Sequence, residues 1–267
     1  MGSGKVLTSA AAISTSIPAS FALDVDLKTN VALYWGQGYD QQRPAHFCEE
    51  SDSDIINIGF INVSPSAVGA WPGSNFGNQC DGTVYNGTHL LSGCHQIWED
   101  LPICKQYGKT IMLSVGGDSP NEKLQDDDVA TWSPTSCGIH SENSVDGFDL
   151  DIENSGSTGW ATVVNRLRSN FKQYPDETFY ISAAPQCSIP DQQLSDAIAN
   201  SVFDFIWVQF YNTAGCSASD YFDGGFNFAS WIQVIKESAN PHTKLFIGLP
   251  ASKDVERALR IISSPRR

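Results

Sequence analysis

The chain has 267 residues, 41% of them hydrophobic and 17% charged, and its 30 acidic against 16 basic groups leave a formal charge of -14. No apolar run approaches the ~18 residues that a membrane-crossing helix needs, and a strongly negative field repels phosphate backbones and anionic lipid. Nucleic acid and membrane are therefore set aside as partners, whereas a neutral or partly cationic polymer is compatible with the charge.

Taken in chain order, residues 1–22 open with Lys5, continue through a small and apolar stretch (Val6 to Ala22) and end in Ser20-Phe21-Ala22. That order predicts a signal peptide with a small-x-small cleavage site, leaving 23–267 as one domain. Two sequons, at Asn62 and Asn86, and seven cysteines fit an oxidising, secretory route and predict glycosylation at both asparagines. The expected location is extracellular or in a cell wall.

Seven β-branched and aromatic runs follow: Val31 to Trp35, Asp54 to Asn62, Thr110 to Val115, Val145 to Glu153, Thr178 to Ala184, Phe203 to Tyr211, and Leu245 to Leu249. Helical periodicity lies between them. His89 to Tyr107 repeats apolar residues at three- and four-residue spacing, and Trp160 to Phe171 places Trp160, Val163, Val164, Leu167 and Phe171 on one face. Asp191 to Val202 follows Pro190, a residue suited to the start of a helix, and Asn227 to Ser238 turns Trp231, Val234 and Ile235 inward.

Alternating strands and helices predict parallel pairing. No glycine-rich phosphate fingerprint follows the first strand, so the pattern predicts an α/β fold of the (β/α)8 TIM-barrel type rather than a doubly wound sheet. Pro250 to Arg267 suffice for a loop and one helix, so the barrel is expected to lack its eighth strand. The long connection from Ser64 to Thr88 is of the kind that binds substrate.

Within the run Asp146-Gly147-Phe148-Asp149-Leu150-Asp151-Ile152-Glu153, strand alternation puts Asp149, Asp151 and Glu153 on one face and Phe148, Leu150 and Ile152 on the other. The apolar set packs outward on helices, which aims three carboxyl groups into a barrel interior normally filled by Val, Ile and Leu. Like charges and burial keep at least one of them protonated near neutral pH. Glu153 stands nearest the strand's carboxyl end, where barrel active sites open, and is the candidate general acid.

Same-face neighbours on one strand are about 6.6–7 Å apart and side by side, which does not suit two carboxylates attacking a glycosidic bond from opposite faces. A 2-acetamido group of the substrate can supply the nucleophile instead, with Asp151 stabilising its nitrogen. A calcium loop is excluded because Asn154 and Trp160 occupy its glycine and closing glutamate places. A magnesium phosphotransfer site lacks a P-loop and a basic clamp.

These residues resemble family 18 of the glycoside hydrolases, in particular the class III chitinases of plants and fungi. Asp146 to Glu153 matches the family's D-x-x-D-x-D-x-E signature, and Ser114-Val115-Gly116-Gly117 is similar to its S-x-G-G motif. Tyr34-Trp35-Gly36-Gln37, Asn57-Ile58-Gly59-Phe60 and Gln209-Phe210-Tyr211-Asn212 resemble the ends of its first, second and sixth strands, and the likeness covers about residues 30 to 250. The resemblance implies that Tyr211 positions the acetamido carbonyl, that Gln209, Asn212 and Tyr34 line the subsite of the cleaved sugar, and that Asp149 is the charge partner of Asp151. Phe60 is suited to covering an apolar sugar face and Gly117 to close approach of sugar, while Phe210, out of phase, reads as core.

The same likeness suggests disulfides Cys48–Cys104, Cys80–Cys94 and Cys187–Cys216 with Cys137 left over, a pairing that sequence alone does not fix. Two departures from the family stand out: only 28 positions separate Gly117 from Asp146, which predicts a curtailed third helix, and nothing after Leu249 resembles the family's final strand. The expected function is an endo-acting, retaining chitinase that cuts chitin or chitooligosaccharide as a monomer, without metal or organic cofactor. The alternatives are a non-catalytic chitin-binding protein or inhibitor on the same barrel, and an endo-β-N-acetylglucosaminidase.

Overall fold

The computed structural model describes residues 23–38, 40–64, 71–119, 144–154, 156 and 158–251. All seven runs form strands within two residues of the expected limits: β1 (Ala32–Trp35), β2 (Ile55–Val63), β4 (Thr110–Gly117), β5 (Gly147–Ile152), β6 (Tyr180–Ala183), β7 (Phe205–Gln209) and β8 (Lys244–Gly248). A two-residue β3 (Gly73–Ser74), which the sequence did not announce, pairs antiparallel with β2. The seven long strands are parallel and bonded in chain order into one curled sheet. Among the described residues none joins β8 to β1, so the sheet is a TIM barrel open by one strand.

Period-two alternation decides which side chains reach the site. Outward residues such as Ile56, Ile58, Val115, Phe148, Leu150, Ile152, Ile206 and Val208 form the main core with the helices. Inward residues Ile55, Met112, Ala184, Phe205 and Trp207 form a second cluster inside the barrel, joined by Ala32, Tyr180 and Phe246. Phe205 stacks on Trp207 at 5.5 Å, and Phe246 meets Trp207 edge-on at 5.4 Å. This aromatic floor shuts the lower end of the barrel, so the polar groups higher on the same strands face the open, carboxyl end.

Helices α1 (Pro44–Glu50), α2 (His95–Gln106), α3 (Trp160–Phe171), α4 (Ser195–Asn200) and α5 (Phe228–Glu237) lie on the outside. Helix α3 has the expected limits and buries the five expected residues. Helix α2 begins six residues later than its periodicity suggests. Its forerunner, with Gly87 at φ 74°, is a reversal in which Val84 pairs with Leu91 and Tyr85 N–H donates to Leu90 at 3.0 Å. Helix α4 starts at Ser195 and not behind Pro190, because the Asp191 carboxylate accepts the N–H groups of Gln193 and Leu194 and holds that stretch as a turn. Helix α1, with Pro44 in its first turn, was not foreseen.

Disulfides join Cys48 to Cys104, Cys80 to Cys94 and Cys187 to Cys216. The first ties α1 to α2, and the third ties the loop after β6 to the loop after β7. The proposed leader 1–22, Cys137, most of the short segment 118–145 and the end 252–267 lie outside the described residues.

Candidate active site

The inward carboxyl groups of β5 rise in a row. Asp149, lowest and wholly buried, accepts four hydrogen bonds: Tyr34 Oη at 2.7 Å and Ser114 Oγ at 2.6 Å on Oδ2, Ser182 Oγ at 2.6 Å and Trp207 Nε1 at 2.9 Å on Oδ1. The donors come from β1, β4, β6 and β7, and the ladder explains the convergence, since Ser114, Asp149 and Ser182 are register partners. Burial pushes the Asp149 pKa up while these four donors oppose it, so its charged form is the best compensated of the three.

Asp151 stands one step higher and is 7% exposed. Gln209 Nε2 donates to its Oδ1 at 2.8 Å, to Glu153 Oε1 at 3.2 Å and to the Ala184 carbonyl at 3.1 Å. Burial first, then the charges of Glu153 and Asp149, drive the Asp151 pKa well above the ordinary carboxylate value.

Glu153 is the first residue past β5 and is half-buried at the mouth. Burial raises its pKa, the Gln209 amide lowers it, and the neighbouring Asp118 carboxylate raises it again. Asp118, exposed at the end of β4, receives Asn154 Nδ2 at 2.6 Å. Tyr211 is half-buried beside the acids, and desolvation followed by the charges of Asp151, Glu153 and Asp149 raises its pKa, so it remains a protonated donor.

Glycines let the backbone close on this row. A Cβ on Gly116, at φ 124°, would sit 1.9 Å from the Asp151 carbonyl oxygen, and one on Gly117, at φ 80°, would lie 3.1 Å from the Phe60 ring. The Phe60 ring packs 6.2 Å from that of Tyr34. Tyr34 stands on the edge strand β1 and is 42% exposed as a residue, while its hydroxyl reaches inward to Asp149. Asn212 is exposed and takes the left-handed conformation, φ 58°, which turns the chain away from β7. Among the described residues no group of three or more His, Cys, Asp or Glu is placed to hold a metal ion.

With that geometry in hand, the sequence profile of Glycosyl hydrolases family 18 matches residues 30–259. The chain belongs to glycosyl hydrolases family 18. Two curated relatives are Endochitinase A of Aspergillus niger, 54% identical over 92% of this chain, and Endochitinase A1 of Aspergillus fumigatus, 50% identical over 95% of it. The chain spans 22% and 34% of the lengths of those two proteins. Among solved structures, the chitinase ICChI from Ipomoea carnea superposes with a TM-score of 0.68 at 29% identity, covering 84% of this chain and 82% of that one. A xylanase and alpha-amylase inhibitor protein from Scadoxus multiflorus also superposes at 0.68, with 26% identity and coverage of 84% and 80%.

Within this family 18 chain the site contains residues that motif reading passed over. Ser182 and Trp207 belong to no quoted motif; Ser182 is the register partner of Asp149 on β6, and Trp207, two residues beyond the partner of Ser182 on β7, reaches Asp149 through its indole N–H. Gln209, expected to line the sugar subsite, has its amide nitrogen engaged by Asp151, Glu153 and Ala184. Gln37 uses its Nε2 on the carbonyls of Gly36, Gly59 and Asn75 at 3.0, 2.9 and 2.9 Å, which pins the loop beside Phe60. Phe210 is core, packed 4.7 Å from Phe226. Of the two sequons, Asn86 is exposed in a turn, while Asn62 is half-buried in β2.

Proposed function

We propose that this chain is the catalytic unit of a retaining endochitinase that hydrolyses β-1,4-linked N-acetylglucosamine polymers, with Glu153 as general acid and then general base. The observation that carries the reading is the row itself: three carboxyl groups on one inward strand face, the lowest bound by four donors, the highest at the mouth, and a protonated tyrosine beside them.

Glu153 protonates the glycosidic oxygen as the bond to the anomeric carbon breaks. A protein nucleophile would have to reach the sugar from the opposite face, whereas Asp151 and Glu153 share one Gln209 nitrogen and stand on the same side. The acetamido oxygen of the substrate therefore attacks the anomeric carbon and forms an oxazolinium ion. Tyr211 donates to that oxygen and aligns it, and Asp151 faces the nitrogen as positive charge develops there. Asp149, bound by its four donors, lies beneath Asp151, and its charge raises the Asp151 pKa. Glu153, now a carboxylate, then deprotonates the water that opens the oxazolinium ring from the face the leaving group vacated, giving net retention.

The named relatives support chitin as the polymer. Three disulfides suit an oxidising compartment and support secretion as part of the same proposal. A similar chain is a xylanase and alpha-amylase inhibitor protein, but the presence of Glu153, Asp151 and Tyr211 together favours catalysis here.

A chitooligosaccharide deacetylated at the sugar bound for cleavage tests the mechanism. Purified protein should cut the acetylated substrate and leave the deacetylated one intact. Equal cleavage of both would rule out participation by the acetamido group.

A further inference from the structure

Glu153 sits where the sheet has stopped holding the chain. The register between β4 and β5 ends at Gly117 and Ile152, and that between β5 and β6 ends at Leu150 and Ala183. A general acid must be placed to a fraction of an ångström, because a displacement of about 1 Å can cost on the order of 100-fold in rate. Some group outside the ladder has to fix the backbone that bears it.

That group is on the neighbouring loop. Gln193 Nε2 donates to the backbone carbonyl of Glu153 at 3.1 Å, and Gln193 Oε1 accepts the backbone N–H of Gly156. One side-chain amide thereby holds the backbone at both Glu153 and Gly156, just past β5. Gly156 adopts φ 79°, a left-handed conformation that glycine takes without steric cost.

The amide is itself fixed. Gln193 is 8% exposed, and its own N–H donates to Asp191 Oδ1 at 3.0 Å. Asp191, more deeply buried, also accepts the N–H of Leu194 at 2.6 Å and that of Gln186 at 3.0 Å. Helix α4 begins at Ser195, so the turn bearing Gln193 is braced by Asp191 on one side and by a helix on the other.

We infer that Gln193, seated by Asp191, is a positioning residue for the general acid, setting the height of the Glu153 carboxyl relative to Asp151 and the cleaved bond. The inference rests on the reading of Glu153 as general acid. Gln193 touches no reacting atom and acts only through the Glu153 backbone.

Two substitutions test it, beside Glu153→Gln as the control for the underlying reading. Gln193→Leu removes both hydrogen bonds and should lower kcat by about 10–100-fold with KM changed less than about threefold, since sugar contacts are untouched. Gln193→Glu is isosteric, but it donates to the Glu153 carbonyl only while its carboxyl is protonated. Its kcat relative to the wild type should be close to one in acid and fall as pH rises past the ordinary glutamate value of about 4.3, displaced upward by burial. A merely structural role would lower the melting temperature of both variants without a pH-dependent kcat ratio. If Glu153→Gln is inactive while both Gln193 variants keep wild-type kcat at all pH values, the positioning role is overturned. If Glu153→Gln itself turns over normally, it is the reading of the acid that fails.

Discussion

Trp207 donates its indole N–H to Asp149 Oδ1 across 2.9 Å, although the same ring forms part of the apolar floor of the barrel. One side chain thus joins the packing that closes the barrel to the carboxylate at the base of the inward acidic row of β5. Trp207→Phe keeps most of the ring contacts and removes one of four donors to a buried charge, at a cost of about 1–3 kcal/mol. The folded-state pKa of Asp149 is already raised by burial and rises further in the variant. The deficit is therefore small below the unfolded-state value near 4, where the carboxyl is protonated in both states, and grows as pH climbs to neutrality. Urea unfolding of both proteins at acid and neutral pH measures it.

Asp118 and Glu153 face each other as like charges at the mouth of the site, and the first raises the pKa of the second. Asp118→Asn removes that repulsion, lowers the Glu153 pKa and moves the alkaline limb of the kcat/KM profile to lower pH. Because Asp118 is exposed, salt screens the effect, and raising ionic strength should move the wild-type limb toward that of the variant. A pH–rate series at two salt concentrations checks both statements.

Tyr211→Phe removes the proposed donor to the acetamido oxygen and leaves the ring in place. Loss of one preorganised donor of this kind costs about 100- to 1,000-fold in kcat, with a much smaller change in KM. Steady-state kinetics on a fluorogenic chitooligosaccharide gives the split.

The Cys187–Cys216 bridge pins the loops after β6 and β7, and the Cys187 carbonyl also accepts Trp231 Nε1 at 3.0 Å and Asn227 Nδ2 at 2.9 Å. Replacing both cysteines by alanine should lower stability by about 2–4 kcal/mol. Since Gln209 ends β7 and Tyr211 lies in the loop after it, activity should decline at a lower temperature than in the wild type. Thermal inactivation alongside calorimetry shows whether the two losses coincide.

What was legible in the sequence followed from period. Phe148, Leu150 and Ile152 against Asp149, Asp151 and Glu153 is a pattern that only a strand with one apolar face produces, so the strand and its inward acids were readable directly. The same logic failed for His89 to Leu91, where apolar spacing mimicked a helix but Asn86-Gly87 turned the chain back on itself. Asp191 shows a second limit: a carboxylate capping backbone N–H groups delays a helix by several residues, and nothing in spacing alone reveals it. The partners of Asp149 and the grip of Gln193 on Glu153 join residues 33 to 115 positions apart, and such contacts become visible only when the sheet brings neighbouring strands into register.

The central claim is that the carboxyl group of Glu153 delivers the proton that breaks the glycosidic bond. Its most direct test is the single-turnover rate of Glu153→Gln on a chitooligosaccharide, with substrate binding measured in parallel. The account predicts binding close to that of the wild type and a rate reduced by about 100- to 10,000-fold. A variant that binds and cleaves at the wild-type rate would contradict it.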